Sequence, residues 1–141
     1  MDPWAVFAVL GALVLASTVL GVVWRSGQGR IRTSTTTDTV AIDGVELGDG
    51  VTLLQFSSEY CSPCRATARV LDELATQRHG IVHVELDVAE RPELAARFQV
   101  LQTPTTFVLD AEGRIRSRIG GAVRRDAVAA ELDRLLGAAA A

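Results

Sequence analysis

From Trp4 to Trp24 the chain carries no charged residue, and Ala, Val, Leu, Gly and Phe fill almost every place. Coiled as a helix, a run of this length spans about 30 Å, the thickness of a bilayer's hydrocarbon core. A core helix of a soluble domain would show a polar stripe, and this segment has none. A cleaved secretory signal carries a positive n-region, whereas Met1, Asp2 and Pro3 stand ahead of this run, which is also longer than a usual signal core. Trp4 and Trp24 mark its two ends, where amphipathic rings favour the membrane–water boundary. Residues 1–24 therefore read as a single-pass transmembrane anchor. Arg25, Arg30 and Arg32 follow the span and no Arg precedes it, so the positive-inside rule predicts a cytoplasmic C-terminal domain. An extracytoplasmic domain is the alternative.

The remainder has to supply one ordinary soluble core of about 100 residues. Residues 25–38 contain Ser26-Gly27-Gln28-Gly29 and Thr33-Ser34-Thr35-Thr36-Thr37, lack apolar periodicity, and read as a linker. The globular domain is expected over 39–141. With a net charge of -3 and no long basic block, nucleic acid is not an expected partner.

Within the domain, turn signals at Asp43-Gly44 and Asp49-Gly50 follow a short strand expected near residues 39–42. Residues 51–57 form an apolar strand that runs directly into Cys61-Ser62-Pro63-Cys64. Ala68, Leu71, Leu74 and Ala75 then recur at helical spacing, predicting a helix from Cys64 to about residue 78, stopped by Gly80. Residues 81–88 alternate, with Val82, Val84, Leu86 and Val88 on one face and His83, Glu85 and Asp87 on the other. A short helix is expected over 92–98, opened by Pro92. A hairpin of strands 105–109 and 114–119 turns at Asp110-Ala111-Glu112-Gly113. An amphipathic helix carrying Val128, Leu132, Leu135 and Leu136 comes last, with a fraying tail at 138–141. The order β-α-β-α-β-β-α predicts an α/β fold with a mixed central sheet and helices on both faces.

The two Cys lie three positions apart at a strand-to-helix junction. Unpaired N–H groups at a helix start favour a thiolate, the attacking form in disulfide exchange, so Cys61 is the expected nucleophile. Cys64, one turn on, can resolve the mixed disulfide, and Arg65 adds a cation nearby. As a static crosslink, so short a loop would stabilise little. Because Cys61-x2-Cys64 is followed by His79-x3-His83, a four-ligand zinc site is the rival reading. Along a helix Cys64 and His79 stand about 22 Å apart, whereas ligands of one zinc ion lie within about 4 Å of each other. No metal site and no cofactor are expected.

The stretch Phe56-Ser57-Ser58-Glu59-Tyr60-Cys61-Ser62-Pro63-Cys64, followed by Thr103-Pro104-Thr105, resembles the thioredoxin superfamily, and Gly113, Gly120 and Gly121 fall where that family places glycines. The resemblance covers about residues 51–136. It implies a thioredoxin-like fold behind the transmembrane helix, and a cis Thr103–Pro104 bond facing the dithiol. The backbone of Thr103 would then bind an extended substrate segment as an added strand. Gln55 occupies the position where thioredoxins carry a buried acid that helps deprotonate the resolving thiol, and Gln takes no proton at neutral pH. Glu85 falls where thioredoxins have the Lys partnering that acid. Gln55 and Glu85 are thus expected to meet and hydrogen-bond, with Glu85 as candidate proton acceptor; a structural or exposed Glu85 is the alternative. Ser57 and Tyr60 replace the family's usual Trp residues. The functional expectation is a membrane-tethered thiol–disulfide oxidoreductase that reduces disulfides in partner proteins, fed by an unidentified electron donor. A non-catalytic binding or chaperone module using the Thr103–Pro104 groove is the alternative.

Overall fold

The computed structural model describes residues 2–27, 29–33 and 39–139. Helix α1 (Pro3–Gly27) buries none of its residues, so a whole cylinder of Val, Leu, Phe and Trp faces outward. It is long and apolar enough to cross a membrane.

The strands β1 (Ile31–Thr33), β2 (Val51–Ser57), β3 (Ile81–Asp87), β4 (Thr105–Asp110) and β5 (Ile115–Gly120) form one sheet in the order β1-β5-β4-β2-β3. Helix α2 (Ser62–Thr76) makes the crossover from β2 to β3, which are parallel; all other neighbours pair antiparallel. Helices α3 (Pro92–Arg97) and α4 (Arg125–Ala139) complete the order. Hydrogen-bonded on both edges and buried at every residue, β2 is the spine of the domain. Its largely apolar character is what a strand covered on both faces requires.

Alternation along β2 divides the core. Val51 and Leu53 point to α2 and α4, where they pack with Leu71, Leu74, Val128, Leu132 and Leu135. Leu54 and Phe56 point to α3, meeting Leu94, Phe98 and Phe107 together with Val40 and Ile42.

Two local expectations change. Ile31–Thr33, within the stretch read as linker, pairs with Ser117–Ile119 of β5 as an edge strand. Those three residues show no pattern of their own; the partner lies more than eighty positions away, and its unpaired backbone groups supply the reason for pairing. Among the described residues, the segment near residues 39–42 makes a single bridge, Thr39 to Arg114, although Val40 and Ile42 are buried beneath the sheet. Apolar side chains there serve packing rather than a ladder. Residues 34–38 of the expected linker lie outside the described residues. Gly80, at φ +78°, reverses the chain between α2 and β3, and Gly113, at φ +76°, closes the β4–β5 hairpin.

Candidate active site: the Cys61–Cys64 dithiol

The interior strand β2 ends at Ser57, and Ser58 turns the chain into α2. The Cys61 N–H donates to the Ser58 carbonyl at 3.1 Å, and Cys61 itself is the extended residue capping the helix. Pro63 occupies the first turn, where its missing N–H has no intrahelical partner to lose. The sulfurs of Cys61 and Cys64 are joined, with Cα atoms 5.3 Å apart. Their surroundings differ. Cys61 is half-buried at the mouth of the helix, while Cys64 is only 2% exposed. Cys61 is thus the more accessible of the two residues.

Opposite stands the loop before β4. Thr103–Pro104 is a cis bond, as the resemblance implied. Pro104 is buried and Thr103 half-buried. The hydroxyls of Ser58 and Thr103 lie 3.3 Å apart, tying the cysteine turn to this loop. Among the described residues, the main-chain N–H and C=O of Thr103 have no hydrogen-bond partner. Tyr60 and Leu101 project from the two loops, each more than 90% exposed.

Behind the dithiol lies a polar network. Gln55, fully buried on β2, donates from Nε2 to the Cys64 carbonyl at 3.0 Å and to Glu85 Oε1 at 3.4 Å. Gln55 and Glu85 are thus brought together, directly opposite each other across β2 and β3, although Glu85 itself is exposed. His83 joins them: its Nε2 is 3.2 Å from Gln55 Oε1, and its Nδ1 is 2.6 Å from Asp72 Oδ1 on α2. In the sequence His83 is legible only as a polar strand residue and a rejected zinc ligand. Its place two residues before Glu85, on the same strand face, is the signal available. Asp72 gives no signal, because helical spacing alone marks it as solvated.

The sequence matches the thioredoxin family profile over residues 34–134. The chain belongs to the thioredoxin family. A thioredoxin from Staphylococcus aureus is 35% identical over 88 residues, covering 62% of this chain and 84% of its own length. A point-mutant thioredoxin from Halobacterium salinarum superposes with a TM-score of 0.58 at 25% identity, covering 62% of this chain and 76% of that one. Fasciola hepatica thioredoxin, 24% identical, shares the fold, with a TM-score of 0.55 over 62% of this chain and 83% of its own. With a Cys-x-x-Cys pair at bonding distance on this fold, the chain is a thiol–disulfide oxidoreductase acting on disulfide-containing proteins.

Against thioredoxins generally, the departures noted in the sequence acquire places. Gln55 stands behind Cys64 and engages it through the main-chain carbonyl. Ser57 is buried at the end of β2, and Tyr60 is the exposed ring beside Cys61.

Proposed function

We propose that this thioredoxin-family protein reduces disulfides in partner proteins from a membrane-anchored position, with Cys61 as nucleophile and Cys64 as resolving thiol. The observation that carries this reading is the unequal burial of the two cysteine residues at the start of α2. In the dithiol state the Cys61 thiolate attacks a substrate disulfide; one substrate sulfur leaves as a thiolate and takes up a proton. Cys64 then loses its proton, its sulfur attacks Cys61 Sγ, and the bond between Cys61 and the substrate breaks. The second substrate sulfur departs, and the protein keeps the disulfide. Two electrons have passed to the substrate, and a dithiol-bearing donor must return them.

Thr103 serves as the substrate-binding strand edge. Its unpaired main chain beside the dithiol supports this, as an extended segment could bond there while Pro104 shapes the groove. Glu85 serves as proton acceptor for Cys64, with Gln55 as the amide that holds the two together, supported by the contacts of Gln55 to both residues. An unchanged rate and pH profile in Glu85→Gln would remove Glu85 from that role.

Helix α1 acts as a retained anchor, supported by its unburied apolar surface and by Trp4 and Trp24 near its ends. Arg25, Arg30 and Arg32 support a cytoplasmic domain. External protease applied to spheroplasts should leave the domain intact; its digestion would reverse the orientation.

Insulin reduction with dithiothreitol tests the catalytic reading. Wild type should precipitate insulin B chains and Cys61→Ser should not. Equal activity in the two would favour a binding module without turnover.

A further inference from the structure

A titratable side chain stands behind Gln55 even though Gln55 itself carries no proton to give. The hydrogen-bond partners constrain how this chain of groups can be arranged. Gln55 Nε2 faces two acceptors, the Cys64 carbonyl and Glu85 Oε1, which places the amide nitrogen on that side. Gln55 Oε1 then faces His83 Nε2 and needs an N–H from it. Asp72 Oδ1 faces His83 Nδ1 and needs an N–H as well. With Asp72 ionised, every contact is satisfied only when both ring nitrogens carry hydrogen, that is, when His83 is an imidazolium paired with the Asp72 carboxylate.

Removing one proton upsets the chain. The carboxylate retains the remaining hydrogen at Nδ1, and Nε2 becomes a lone pair directed at the Gln55 oxygen. The amide can answer by turning over to offer its NH2 to His83. That rotation sets Gln55 Oε1 against the Cys64 carbonyl and the Glu85 carboxylate, two acceptors that give it nothing. The His83 side chain is 5% exposed, so water is poorly placed to make up the lost bond. One arrangement forfeits the bond between His83 and Gln55, and the other forfeits the bond from Gln55 to the Cys64 carbonyl.

We propose that His83 is a positioning residue whose protonation fixes the Gln55 amide and, through it, the first turn of α2 that holds Cys64. The proposal rests on Cys61–Cys64 being the working dithiol. The charged groups meeting the ring are Asp72 from α2 and, through Gln55, Glu85 from β3; Gln55 is the contact from β2 and does not titrate. The release of substrate by Cys64 therefore carries a histidine titration that thiol ionisation alone would not give.

The test is a single-turnover measurement on the full chain in detergent. The pre-reduced protein meets a model peptide disulfide, and product release is followed from about pH 5 to about pH 8, across the histidine range. His83→Gln offers an amide N–H to Gln55 at every pH. The ratio of wild-type to His83→Gln rates cancels the common rise in thiolate. It should be highest in acid and fall roughly fivefold, the worth of one hydrogen bond, as His83 loses its proton. Ring 15N shifts of His83 should titrate in the same window. Asp72→Asn, at a largely exposed position that endangers no packing, should move the inflection to lower pH because the carboxylate favouring the charged ring is gone. A flat ratio in an active wild type, or an inflection unmoved by Asp72→Asn, overturns the proposal. Should His83→Gln fail to fold, the Asp72→Asn shift decides alone. A wild type no better than Cys61→Ser would instead remove the oxidoreductase reading itself, so the two failures are distinguishable.

Discussion

On the α3 side of the sheet, Phe56, Phe98 and Phe107 meet with ring centroids 5.3–5.8 Å apart, sealed by Leu54, Leu94 and Leu109. On the α2–α4 side, the apolar cluster is interrupted by the fully buried Gln55 and by Thr67 and Thr106, whose hydroxyls find no partner among the described residues. The dithiol helix lies on this second side. Both faces of β2 bury polar groups, but Thr52 and Thr105 on the aromatic side bond only to nearby main chain, whereas Gln55 on the other side reaches the Cys64 carbonyl, Glu85 and His83. Side-chain alternation makes this division possible, since adjacent residues of one strand, Phe56 and Gln55, serve opposite faces.

The division can be broken from either side. Phe56→Ala should cost about 3–5 kcal/mol in urea unfolding by opening a cavity among the rings. Its disulfide-exchange rate per folded molecule should stay within about twofold, the two faces being independent to that degree. A collapse in rate with the fold intact would join the two faces. Gln55→Leu should cost about 1–3 kcal/mol, because the Cys64 carbonyl and His83 Nε2 lose their partner. It should also slow substrate release; normal release kinetics would detach the network from the chemistry.

Smaller effects sharpen the picture. Glu131, nearly buried on α4, has its carboxyl held below the usual Glu range, first by hydrogen bonds from the Arg134 guanidinium, with burial opposing. A lowered folded pKa means that its stabilisation is complete above the unfolded value and fades as pH falls through the folded one. Glu131→Gln should therefore lose about 0.5–1 kcal/mol at neutral pH, and the gap from wild type should close in acid. A gap independent of pH would make its role packing alone. Thr67→Val exchanges an unpartnered buried hydroxyl for a methyl group, and should leave stability unchanged or raise it by up to about 1 kcal/mol. A clear loss would show that the hydroxyl has a partner, such as an ordered water.

Much of this arrangement is legible in the chain itself. Period-two and helical spacing locate β2, α2, β3 and the β4–β5 hairpin to within about two residues, because each carries its own apolar pattern. The cysteine turn and Thr103–Pro104 are legible for a different reason, being rare residue types at fixed offsets. Ile31–Thr33 escapes because its strand character comes from β5 and not from its own residues. His83 escapes because alternation ranks the polar face of a strand as its wet face. Here α2 covers that face and draws the ring onto Asp72. Pairwise contacts across a crossover are tertiary facts that no local period encodes.

The proposed chemistry depends most directly on Cys61 being the sulfur that meets the substrate and Cys64 the sulfur that releases it. Cys64→Ser, incubated with a peptide disulfide and analysed by intact mass spectrometry, should accumulate a dithiothreitol-sensitive adduct on Cys61, while Cys61→Ser accumulates almost none. Adducts forming as readily on Cys64 of the Cys61→Ser protein would contradict it.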